Sequence, residues 1–83
     1  MYAVVNVQLS SRELECLKWA ANGKTYRETA AILHLSYGSI KTYLDTSRYK
    51  LNAMNVTHAV AIAVSLKIIE VDLDRAVPYV IMD

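Results

Sequence analysis

Only His34 and Leu35 separate the end of one helical pattern from Ser36, which can cap the next, and no glycine or proline run lies between them. Before the break, Thr25-Tyr26-Arg27-Glu28 forms a capping box that opens a helix carrying Ala30, Ile32 and Leu33. After it, Ile40, Leu44, Ser47 and Leu51 recur at the spacing of one buried helical face. Helices joined this tightly cannot lie side by side as a long hairpin. They cross steeply, as in a helix-turn-helix. The helix after the turn, about residues 37–51, then presents Lys41, Thr42, Asp45, Arg48 and Tyr49 outward. Such a face can enter a major groove about 12 Å wide. Tight turns also occur in helical bundles with no nucleic-acid role, and periodicity alone leaves both readings open.

Two further helices flank this pair and make the expected fold all-α. Ser10-Ser11-Arg12-Glu13 is a second capping box, followed by Leu14, Leu17 and Ala21 on one face and by Gly23 as a left-handed stop. A fourth helix is expected over about 57–66, from Thr57 through Ala59-Val60-Ala61-Ile62-Ala63-Val64 to Leu66. It is apolar nearly all round, so both of its sides should be covered. The 83 residues make one domain at most, and a chain this short buries only about 60% of its unfolded surface.

The net charge of +1 conceals an asymmetry. Up to Lys67 there are eight Lys and Arg against four acids; beyond it, Arg75 stands against Glu70, Asp72, Asp74 and Asp83. A basic body with an acidic tail fits a polyanion-binding module.

Several functions are set aside. No apolar run approaches the ~20 residues of a membrane span. Met1-Tyr2-Ala3-Val4-Val5 lacks the basic flank of a signal peptide, and a cytoplasmic location is expected. Cys16 is the single cysteine, which rules out an internal disulfide framework. Cys16, His34 and His58 lie on different segments without ligand spacing, so no metal site is expected. Trp19 reads as a packing anchor. No nucleophile pairs with a base and no glycine-rich loop cradles phosphate, so neither catalysis nor a cofactor is expected.

Taken together, the segments carry a specific resemblance. The run from Leu9 to Thr25, Leu-Ser-Ser-Arg-Glu-Leu-Glu-Cys-Leu-Lys-Trp-Ala-Ala-Asn-Gly-Lys-Thr, closely resembles the opening of LuxR-type helix-turn-helix domains, particularly the quorum-sensing branch. Glu28, Ala30, Ile32-Leu33, Ser36, Ile40-Lys41, Lys50-Leu51-Asn52-Ala53, Asn55, Thr57 and Ala59 to Ala63 are similar to the family at matching places. The likeness covers roughly residues 9–69 and implies a four-helix domain whose third helix reads DNA and whose fourth pairs with a second copy.

By position, the resemblance implies that Lys41, Thr42 and Asp45 face base edges or the backbone beside them. Lys24, Thr25, Arg27, Ser39, Tyr43 and Arg48 would hold phosphates, and Val60, Ala61 and Val64 would form the dimer contact. Lysine can donate to guanine O6 and N7, and hydroxyls at helix starts hold phosphate oxygens. Ser36 is expected to cap its own helix. The departures are Ser11 where the family usually has proline, and His34 and Lys67 where it often has glycine. Tyr37-Gly38 stands where charges are usual, and Asp45 where a basic residue is common. Aspartate can accept from cytosine N4 yet repels phosphates, so Asp45 points to an altered base preference or to weaker binding.

Only eight residues precede Leu9, so no small-molecule pocket of the quorum-sensing kind is expected in this chain. The expected partners are double-stranded DNA and a second copy. The alternative is a protein-interaction module that heterodimerises with a full-length LuxR-type regulator and tunes it. In the tail, residues 70–83, Val77, Tyr79, Val80, Ile81 and Met82 are apolar enough to suggest docking on the body or a second chain, with Tyr2, Val4 and Val5 covering the same surface.

Overall fold

The computed structural model describes residues 8–71, so the expectations for Tyr2, Val4 and Val5 and for Val77 to Met82 lie outside the described residues. Four helices follow in order: α1 Ser11–Ala21, α2 Tyr26–Leu33, α3 Tyr37–Lys50 and α4 Val56–Ser65. No strand occurs among the described residues, and the fold is the all-α arrangement expected.

Each helix starts on a side-chain cap. The Glu13 amide donates to Ser10 Oγ at 3.2 Å while the Ser10 amide donates to Glu13 Oε1 at 2.8 Å. Thr25 and Glu28 repeat that exchange at 3.1 and 2.9 Å. At α3, Ser36 Oγ accepts from the Ser39 amide at 3.1 Å. The start of α4 corrects the sequence reading: Asn55 Oδ1 accepts from the His58 amide at 2.8 Å, so the helix begins at Val56 rather than Thr57. Asparagine outranks threonine as a cap, and Thr57 lies one residue inside the helix.

The other ends share a second device. Gly23, His34, Asn52 and Lys67 all adopt positive φ, at 86°, 56°, 54° and 60°. In each case the left-handed residue and its successor donate back into the last turn. His34 bonds Ala31 O and Leu35 bonds Ala30 O; Lys67 bonds Val64 O and Ile68 bonds Ala63 O. This is the Schellman arrangement, which satisfies carbonyls that the helix itself leaves open. Only the first of these stops is a glycine. The His34 stop is what turns the chain between α2 and α3.

The helix α3 is central and touches the other three, whereas α2 and α4 do not meet. Its inward stripe is buried along its length: Ile40, Leu44, Ser47 and, just past its end, Leu51. Ser47 is tolerated there because its hydroxyl donates to Tyr43 O at 2.8 Å. Cys16 and Leu17 meet this stripe from α1, and Ala59 and Ala63 from α4. Burying Leu17, Ile40 and Leu44 contributes about 1.5–3 kcal/mol each. From α2, buried Thr29 and half-buried Ala30 and Leu33 face inward. Ile32, read as part of that helix's apolar set, is 39% exposed. It sits one residue off the stripe.

Glu13 does more than cap. It is 5% exposed, and its Oε1 also accepts from Lys50 Nζ at 2.9 Å, tying the start of α1 to the end of α3. Burial alone would raise its pKa. The bonds from Lys50 and from the Ser10 amide outweigh that effect and hold the carboxyl below its ordinary 4.5.

Candidate nucleic-acid interface

The buried stripe of α3 fixes which side chains the helix can offer to a partner. With Ile40, Leu44 and Ser47 inside, the residues one helical turn apart on the other side are Tyr37, Lys41 and Asp45, with Thr42 and Tyr49 beside them. All five are exposed. Lys41 makes no ion pair among the described residues, so its charge is uncompensated. Asp45 has Arg48 Nε at 3.7 Å from its Oδ1. An exposed pair of this kind adds little stability, but it offsets part of the Asp45 charge.

Of the residues expected at phosphates, Arg27 is exposed on the first turn of α2 and Lys24 is half-buried just before it. The others already have work in the fold. Thr25 Oγ1 is occupied by the Glu28 amide, and Ser39 Oγ accepts from Ser36 Oγ at 2.9 Å. Tyr43 packs its ring partly against the core. Arg48, besides its pairing with Asp45, donates to Ala53 O at 3.3 Å and so helps close the turn after α3. Ser36 is the cap it was expected to be.

Two aromatic residues join this face: Tyr37, noted from the sequence only as a departure from the family, and Tyr26, read there only as part of a capping box. The Tyr26 and Tyr37 rings lie 5.8 Å apart, and the Arg27 guanidinium stands 5.5 Å from the centre of the Tyr37 ring. Burial, and then the charge of Asp45, push the Tyr26 phenol above its ordinary 10.0. Together with Thr25 these residues line an open depression between the starts of α2 and α3. A second depression, lined by Ser36, Gly38, Ser39, Thr42 and Tyr43, opens on the other side of the α3 N-terminus. The sequence marks Tyr37 as a departure from the family but gives no sign that its ring meets Tyr26 and Arg27.

Away from this face, Ala61 is exposed on α4, with Val60 and Val64 half-buried beside it and Leu66 61% exposed beyond. Cys16 is fully buried, which raises its thiol pKa, and His34 and His58 are exposed. The His58 ring accepts the Met54 amide at 3.0 Å. No helix among the described residues is long and apolar enough to cross a membrane.

Comparisons with known proteins identify the family of this chain. The family model described as bacterial regulatory proteins, luxR family, matches residues 7–63. The quorum sensing-dependent transcriptional regulator VjbR of Brucella abortus is 52% identical over 62 residues, covering 75% of this chain. The transcriptional activator BjaR1 of Bradyrhizobium diazoefficiens is 42% identical over 64 residues, 77% of this chain. ExpR of Pectobacterium parmentieri, also a transcriptional activator, is 40% identical over 60 residues, 72% of this chain. The chain spans only 24 to 26% of the length of these relatives.

Proposed function

Because the chain belongs to the LuxR family of bacterial regulatory proteins, we propose that it is a DNA-binding transcription regulator that inserts α3 into the major groove and pairs through α4 with a second copy. The observation that carries this reading is the outer face of α3, where Lys41, which makes no ion pair among the described residues, stands exposed beside Thr42. Lys41, Thr42 and Asp45 meet base edges, lysine donating to guanine and aspartate accepting from cytosine N4. Arg27 and Lys24 meet phosphates at the start of α2. Thr25 and Ser39 keep their capping bonds and approach the backbone through the helix starts they stabilise. Tyr43 and Arg48 border the same groove wall.

Pairing of Val60, Ala61 and Val64 with the same patch on a second copy gives a two-fold dimer, whose half-sites lie about one helical turn apart. Selection from a random duplex pool is expected to return an inverted repeat with that spacing. No enrichment of any sequence contradicts the reading. Val64→Asp is expected to give a monomer in solution; an unchanged mass moves the contact elsewhere.

The same apolar patch on α4 supports a second reading, in which the chain pairs with a longer LuxR-type regulator and tunes it. Mixed with such a protein, wild type is expected to form a complex that Val64→Asp does not.

A further inference from the structure

Tyr37 is large, aromatic and 49% exposed at the first position of α3, and it belongs neither to the core nor to the residues packed against it. Its stripe on the helix is that of Lys41 and Asp45, and side chains at a helix start lean back toward the N-terminus. That lean carries the ring to the start of α2, where Tyr26 lies 5.8 Å away and the Arg27 guanidinium stands 5.5 Å from the ring centre. Arg27 makes no ion pair among the described residues, so the aromatic face is what restrains it. It is also the second residue of α2, whose first amides have no partner within the helix.

We infer that Tyr37 is a positioning residue for Arg27, its ring face holding the guanidinium at the start of α2 so that a DNA phosphate meets an already oriented cation. The inference rests on the DNA-binding reading and adds to it a residue whose contribution acts through another. The ring is the active part, because a cation is attracted to the aromatic face and not to the phenol hydroxyl. In the free protein the contact joins two exposed groups, so it adds little to stability; its effect lies in limiting where a flexible side chain points before DNA arrives.

The experiment uses the full chain and a fluorescein-labelled duplex of mixed sequence, since phosphate contacts do not depend on a target site. Anisotropy across a salt series is measured for wild type, Tyr37→Phe, Tyr37→Ala, Arg27→Ala and the double alanine variant, with circular dichroism confirming equal helix content. Tyr37→Phe is expected to bind like wild type, and Tyr37→Ala about two- to fivefold more weakly. Arg27→Ala is expected to lose more and to lower the salt slope by about one phosphate contact. The double variant should be no weaker than Arg27→Ala.

Losses that add in the double variant, or a Tyr37→Phe loss equal to that of Tyr37→Ala, overturn the inference, because the tyrosine then acts on DNA by itself. If wild type binds and Arg27→Ala leaves affinity and slope unchanged, this inference falls together with the Arg27 phosphate contact, while the DNA-binding reading stands. If wild type does not bind the duplex at low salt, the DNA-binding reading falls and takes the inference with it.

Discussion

The two faces of α3 are made to different standards. On the inner face, Ile40, Leu44 and Ser47 are at most 1% exposed, and the one hydroxyl among them is bonded to Tyr43 O. On the outer face, Tyr37, Lys41, Thr42, Asp45 and Tyr49 are exposed, and the bonds they make are few and weak. The inner face is what the fold needs from this helix, and the outer face is what it leaves free. A domain this small keeps so polar an exposed row at little cost only because the inward stripe carries the packing.

The comparison breaks most visibly at the inner face. Leu44→Ala is expected to cost about 2–5 kcal/mol, a large part of what a domain of this size has to spare. Urea denaturation checks it; a loss below about 1 kcal/mol would show that the stripe is not the centre of the core.

Next comes the tether between α1 and α3. Glu13→Gln removes a buried charge-assisted bond and is expected to cost about 1.5–3 kcal/mol at neutral pH. Because folding lowers the Glu13 pKa, the unfolded chain binds more protons, and stability rises with pH through that range. The contribution is complete above the unfolded value near 4.5 and is lost as pH falls through the folded value. Stability measured from pH 6 downward should therefore fall less steeply for Glu13→Gln than for wild type. Parallel acid limbs would remove Glu13 from the account.

A smaller effect in the opposite direction is expected at the helix stops. A left-handed residue other than glycine costs roughly 1–2 kcal/mol, partly offset by the greater freedom of glycine in the unfolded chain. His34→Gly and Lys67→Gly are each expected to stabilise by about 0.5–1 kcal/mol, raising the melting temperature by roughly 2–8 °C. Calorimetry showing a decrease would mean that the His34 or Lys67 side chain makes a contact worth more than the strain. The smallest expected change in stability is at the outer face, where Lys41→Ala should stay within about 0.5 kcal/mol of wild type.

The same contrast explains what the sequence discloses. Caps and inward stripes are local chemistry at fixed spacing, so both capping boxes, the Ser36 cap and the buried series Ile40, Leu44, Ser47 and Leu51 are legible from the chain alone. The departures from the family at His34 and Lys67 are legible as missing glycines, but that both positions remain left-handed with side chains present is not. Contacts between distant residues are not legible. Nothing in the spacing of Glu13 and Lys50 shows that they meet, and nothing local shows that Arg27 finds Tyr37 across the turn or that Arg48 closes on Ala53. These pairings depend on how α1 and α2 are laid against α3, which side-chain periodicity does not specify.

The claim that the outer face of α3 reads base sequence is tested most directly by a specificity ratio. The affinity for a selected duplex is divided by that for a scrambled one of the same length and salt, for wild type and for Lys41→Ala. A large ratio is expected for wild type, and for a folded Lys41→Ala a ratio lower by about five- to 150-fold, the discrimination carried by one good base contact. A ratio that Lys41→Ala leaves unchanged would contradict it.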